Sequence, residues 1–252
     1  MLTYDVVDVF TDRPFAGDQL AVIHGADDLS AEQCLAIAQE FNFSETTFPS
    51  STVVDGAEYS TRIFTPGGEI RFGGHPTLGT AWVLRSRGLL TGTDVTQVCG
   101  AGRIGVRFST STDGLVELSA SPRDLLGPLD DELVVALLSD VGLSLSDLAG
   151  PVWVAGCGLT FVHLPVVEGA VERAAPSQRP LREYADQFAA VGESADPIEG
   201  INLVHVSGAE PALDVHSRVF VPGLSVPVAA VCHVAGQVQP VARGEIAVPG
   251  GQ

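Results

Sequence analysis

Two short segments hold the residues best suited to chemistry. In Phe41-Asn42-Phe43-Ser44-Glu45-Thr46-Thr47-Phe48 a single carboxylate stands among aromatics, just past an expected helix end. Desolvation by Phe43 and Phe48 would suit Glu45 to proton transfer near neutrality. A helix-end carboxylate tied to nearby backbone amides is an equal reading of the same residues. The second segment runs Arg62-Ile63-Phe64-Thr65-Pro66-Gly67-Gly68-Glu69-Ile70-Arg71-Phe72-Gly73-Gly74-His75-Pro76-Thr77-Leu78-Gly79. Here Gly73 and Gly74 lead into an apolar helix, so their N–H groups would point outward beside the positive end of its dipole. Such donors suit a substrate carboxylate or an enolate oxygen, although a glycine turn that merely enters the helix tightly would need the same residues.

Composition narrows what these segments could do. All 13 basic residues are arginines, which excludes Schiff-base lysines, a pyridoxal anchor and a P-loop lysine. A net charge of −18 argues against nucleic-acid binding, which draws its affinity from cations meeting phosphates. Gly100-Ala101-Gly102-Arg103-Ile104-Gly105 matches a dinucleotide fingerprint, but Val106 and Phe108 continue it as a strand instead of opening a helix, so a tight β-turn is expected. The six histidines lack ligand spacing and the four cysteines form no C-x-x-C pair. Neither a metal nor a cofactor is therefore expected, and the thiols read as free and buried. No apolar run reaches the ~20 residues needed to span a bilayer, and Met1 leads into no signal-like segment, which points to a cytoplasmic protein without membrane contact.

The elements that must position these residues alternate between strand and helix. Strands are expected at Thr3 to Phe10, Leu20 to His24, Thr46 to Pro49, Tyr59 to Thr65 and Glu69 to Phe72. A helix opens at Ser30 through the pattern Ser30-Ala31-Glu32-Gln33 and ends near Asn42. Pro76 marks the start of a buried helix that ends near Gly88. Strands follow at Asp94 to Val98, Ile104 to Ser109 and Leu115 to Ser119. After Pro122 the alternation restarts, with helices from about Asp131 to Leu138 and near Leu181 to Phe188. An α+β architecture in two similar halves, 1–119 and 120–252, is the economical reading.

The strings Asp8-Val9-Phe10-Thr11-Asp12-Arg13-Pro14-Phe15-Ala16-Gly17, Phe41 to Phe48, and Arg62 to Pro66 continuing to Gly79 together resemble the PhzF family. These are the phenazine-biosynthesis isomerases and their relatives, which share the diaminopimelate epimerase fold. The resemblance implies two pseudo-symmetric, β-barrel-like halves, each wrapped around a central helix. It also implies a cofactor-independent isomerase of secondary metabolism, acting on a small carboxylated substrate, usually as a homodimer. Carried over by position, Glu45 matches the family's acid/base glutamate. His75 would orient the substrate or relay the proton, while Ser44, Gly73 and Gly74 match the substrate-binding residues. Gly73 stands where the related racemases carry a cysteine, which disfavours a two-thiol mechanism.

The second half departs from the family pattern. Val215 to Leu224 resembles the approach to the family's second active-site loop, but Ser225-Val226-Pro227-Val228-Ala229-Ala230-Val231-Cys232 lacks its Asp, Thr, Gly and Ser. Val234 to Ile246 resembles the closing hairpin, so the second half is expected to be truncated near 224–234 and to have lost its central helix. That half would have to repack or enlarge its dimer interface. The departure also keeps two alternatives open: a catalytically reduced member that binds a small acid or a protein partner, and another acid/base reaction such as cyclisation or dehydration.

Overall fold

The computed structural model describes residues 1–250 except 51, 53–55, 112–113, 120–124, 158, 177–178, 193–196, 210–211 and 222–232. In chain order the elements begin with β1 (Leu2–Val9), β2 (Asp18–His24), α1 (Ala31–Phe41), β3 (Glu45–Ser50), β4 (Tyr59–Thr65), β5 (Gly68–Ile70) and α2 (Gly74–Ser86). They continue with β6 (Asp94–Cys99), β7 (Gly102–Phe108), β8 (Leu115–Ser119), α3 (Asp131–Asp140), β9 (Trp153–Cys157) and β10 (Leu159–Pro165). The last are α4 (Ala170–Arg173), α5 (Ala185–Val191), β11 (Ile198–Ala209), β12 (Ala212–Phe220) and β13 (His233–Ile246). Among the described residues no helix is long and apolar enough to cross a membrane.

The chain forms two units, Met1–Ser121 with Cys232–Gln252, and Pro122–Val231. In the first, eight strands close into a barrel in the order β3-β2-β1-β13-β8-β7-β6-β4, with β4 pairing back to β3 and β5 hanging from β4. Closure leaves the barrel strands without free edges. α2 fills the interior, packing on β1, β2, β3, β8 and β13, and its residues from His75 to Ala81 are all buried. A helix buried all round needs small residues at its closest approaches and partners for its polar ones. Gly79 meets the first need, because a Cβ there would lie 2.6 Å from Leu20 Cδ2. Thr80 meets the second through Thr47, at 2.8 Å between hydroxyls, and Gln97 does so by donating to Thr77 at 3.0 Å.

α1 covers the barrel from outside. Ser30 accepts from the Gln33 amide while the Gln33 side chain accepts from the Ser30 amide, the expected capping box, and Asn42 ends the helix at φ 53°. Cys34, Ile37 and Ala38 pack with Ala21, Ile23, Phe48 and Phe64 into an outer core.

The second unit is a four-stranded sheet, β12-β11-β10-β9, with β10 and β11 parallel and the other pairs antiparallel. The Asp130 carboxylate caps α3 by accepting from the Leu133 amide at 2.9 Å. Leu133, Val134, Leu137 and Leu138 of α3, together with Tyr184 and Phe188, pack with Val154, Val162, Leu164, Ile201 and Leu203 of the sheet in one core. The helix expected near 181–188 is a 3-10 turn over Leu181–Tyr184 that continues into α5.

The C-terminus departs from the expectation. Val234 to Ile246 is one strand, not a hairpin, and it belongs to the first unit although the sequence reading placed 120–252 in the second half. β13 is long enough to pair with β8 through its first part and with β1 through the rest, so it supplies the bond that closes the barrel. The departing segment Ser225–Cys232 lies outside the described residues.

Candidate active site

β2 and β3 run parallel, with Leu20 in register with Glu45, so the starts of both strands lie at the same end of the barrel. Asp18 opens β2 and Glu45 opens β3. Strand alternation then decides which way each residue faces. Thr47 reaches Thr80 of α2, and Glu45, two residues earlier, turns the same way toward His75. Phe48 faces the outer core beneath α1, and Phe43 packs on that core as well. The two aromatics expected to desolvate Glu45 are therefore on the other side, and α2 with the barrel interior buries it to 5% exposure. Glu45 is a strand residue, which removes the helix-end reading.

His75, in the first turn of α2, lies between two carboxylates. Its Nδ1 is 3.2 Å from Asp18 Oδ2 and its Nε2 is 3.4 Å from Glu45 Oε2. Ser44 donates to Asp18 Oδ1 at 3.3 Å. Glu45 Oε2 and His75 Nε2 are both buried without a directed hydrogen-bond partner, an arrangement that costs free energy unless a proton or a ligand satisfies them. Asp18 and Glu45 approach opposite ring nitrogens, so the three side chains do not converge on one point. Among the described residues no group of three metal-binding side chains is arranged to hold an ion.

Gly73 is the N-cap of α2, and no side chain caps this end. A Cβ at Gly73 would lie 2.5 Å from Pro76 Cγ, so the ring of Pro76 demands glycine there. Pro76 has no N–H, and the first bond within the helix is from the Thr77 amide to the Gly73 carbonyl at 3.2 Å. The amides at the tip of α2 thus stand beside a positive dipole end with no acid in the first turn. Glu45, His75, Ser44 and Gly73-Gly74 are gathered at this end of the first unit, and Asp18 joins them. Asp18 was not among the expected site residues, because only the parallel pairing of β2 with β3 brings it to His75.

Other titratable groups serve the frame. In the second unit His163 donates through Nε2 to the Ala155 carbonyl at 3.1 Å and meets Asn202 at 3.2 Å, and burial lowers its pKa. Cys34 is buried and Cys99 partly so, both free, and burial raises each thiol's pKa. The Cys157 side chain and Cys232 lie outside what is described. Gly100 and Ala101 form the β6–β7 turn and Gly102 to Gly105 continue it as strand β7, with Gly102 at φ 99°.

The model of the PhzC/PhzF family, described as phenazine biosynthesis-like protein, matches residues 7–238. An uncharacterized isomerase of Pasteurella multocida is 35% identical over 60% of this chain and 50% of its own length. The trans-2,3-dihydro-3-hydroxyanthranilate isomerase of Pseudomonas aeruginosa is 45% identical over 33% of this chain and 30% of its own. These matches span half or less of the curated relatives' length. Among solved structures, a predicted epimerase of Pseudomonas aeruginosa aligns with a TM-score of 0.74 at 22% identity, covering 98% of this chain and 99% of that one. A PhzF-family protein of Bacillus anthracis aligns at 0.66 with 24% identity over 88% and 72%. The fold is thus the diaminopimelate epimerase-like α+β arrangement of a closed barrel and a second sheet.

Proposed function

This chain belongs to the phenazine biosynthesis-like family, and on that premise we propose that it is a cofactor-independent isomerase that moves a proton on a small carboxylated metabolite of secondary metabolism. One observation carries the reading: a buried glutamate oxygen and a buried imidazole nitrogen lie 3.4 Å apart, and neither has another partner. Structural carboxylates at such depth are held by donors. This one faces a group that can share its proton.

Glu45 removes a proton from the carbon α to the substrate carboxylate, or vinylogous to it. The C–H electron pair passes into the conjugated system, and the proton bonds to the Glu45 oxygen before returning to another carbon on the same face. The Gly73 and Gly74 amides at the tip of α2 hold the developing negative charge. Ser44 contacts the substrate beside them and His75 steadies the proton on Glu45. The working species is taken to be a homodimer, a reading that a stable monomer in light scattering would end.

The test is incubation in deuterated water with β,γ-unsaturated and amino acid candidates, using wild type and Glu45→Gln. Wild type is expected to incorporate label, and the variant to do so at least ~100-fold more slowly, the lower range for losing a general base. Incorporation by Glu45→Gln at the wild-type rate would overturn the assignment.

A further inference from the structure

The shorter of the two carboxylate contacts to His75 is made by Asp18. Asp18 Oδ2 is 3.2 Å from Nδ1, and the other Asp18 oxygen accepts from Ser44, so the carboxylate is held from the side away from the ring. A neutral imidazole has one N–H, and an ionised carboxylate can only accept. An ionised Glu45 would compete for the ring proton at Nε2, but a Glu45 that carries a proton needs an acceptor there, so the ring proton then belongs at Nδ1 beside Asp18 and the Nε2 lone pair faces Glu45 across 3.4 Å. The opposite tautomer would set the Nδ1 lone pair against the Asp18 oxygen.

We propose that Asp18 is a positioning residue that holds His75 as the Nδ1–H tautomer, so that Nε2 and Glu45 share a single proton. The catalytic part of this proposal rests on the function given above. A protonated Glu45 donates its O–H to Nε2. When the proton crosses, the O–H bond breaks and an N–H bond forms, giving an imidazolium whose two N–H groups meet two carboxylates, while Glu45 is again a base. The return of the proton reverses the same two bonds. No oxidant, metal or further acid is required. Asp18 acts at a distance from the substrate, since its influence passes through the ring, and the same geometry explains why a half-exposed aspartate is found at the head of β2.

The experiment is a long-range proton–nitrogen correlation spectrum of protein labelled with nitrogen-15 in histidine. It is recorded near pH ~8.5, above the ordinary imidazole range, with His75 assigned by the signals lost in His75→Gln. Wild type is expected to show a protonated Nδ1 and a bare Nε2. Asp18→Asn, whose amide oxygen still accepts, should keep that tautomer. Asp18→Ala should lose it, giving the Nε2–H form or a mixture. Where isotope exchange is measurable, kcat should fall about tenfold in Asp18→Asn through loss of the charge and further in Asp18→Ala, with KM within about twofold. A wild-type spectrum with the proton on Nε2, or an unchanged tautomer in Asp18→Ala, would overturn the proposal. The spectrum needs no substrate, so failure of the isomerase reading leaves this result standing, and an unchanged Asp18→Ala tautomer leaves the isomerase reading standing.

Discussion

The two ends of α2 use the same chemical groups to opposite effect. At its C-terminal end Asp5, 5% exposed, accepts from Arg87 at 2.6 Å, Arg243 at 2.7 Å and His24 at 2.8 Å. At its N-terminal end Glu45, equally buried, has a histidine at 3.4 Å and, among the described residues, no arginine paired with it. Burial alone would raise the pKa of Asp5, but the bonds from Arg87, Arg243 and His24 outweigh it and hold the carboxyl below its usual range. The first carboxylate is saturated by cations, so it fixes β1 to β13 and to the end of α2. The second keeps Oε2 buried without a hydrogen-bond partner, the feature on which its proposed proton exchange rests. A buried carboxylate and a histidine do not by themselves mark a site; the donors that surround them decide between structure and chemistry.

The contrast can be broken most severely at the saturated end. Asp5→Ala would leave two guanidiniums facing a void, one with Nη2 already buried and unpaired, and should cost about 3 to 5 kcal/mol in urea unfolding. A cost under ~1 kcal/mol would show that the network is not holding the barrel.

The pH dependence comes next in size. Burial first, and then the nearby Arg87 and Arg243 charges, lower the pKa of His24 from its ordinary 6.5 despite the Asp5 contact. The unfolded chain therefore takes up the proton before the folded one does. Stability is full above about pH 6.5 and falls as the pH drops through the folded value, and Asp5 adds a second loss below its ordinary 3.8. His24→Gln should flatten the first of these losses in unfolding free energies taken between about pH 7 and pH 5. An unchanged slope would move the cause elsewhere.

The smallest effect belongs to Arg243, whose side chain is 65% exposed. Arg243→Ala should change stability by less than ~1 kcal/mol even though it makes the same kind of bond as Arg87. A larger loss would mean that the Asp5 network is cooperative.

What could be read from the sequence divides along local and long-range lines. Ser30 with Gln33, Asn42 and the Gly73-Gly74-His75-Pro76 entry to α2 act within a turn or two of themselves, and each sits where its own spacing placed it. The side of β3 that Glu45 faces depends on the parity of a strand whose neighbours are α1 and α2, and the aromatics beside it in sequence turned out to face the other way. Asp18 was hidden for a related reason: only the parallel pairing of β2 with β3 brings it to His75. β13 could not be placed from its own residues, because the strands that claim it lie more than a hundred positions earlier.

The unfolding free energy of Glu45→Gln tests, without knowledge of the substrate, the proposal that Glu45 serves chemistry and not stability. The variant is expected to match wild type or exceed it, by up to about 1 kcal/mol, because it removes the charge of a buried carboxylate whose Oε2 has no hydrogen-bond partner among the described residues. A loss of about 2 kcal/mol or more would show Glu45 to be a structural carboxylate like Asp5 and would end that proposal.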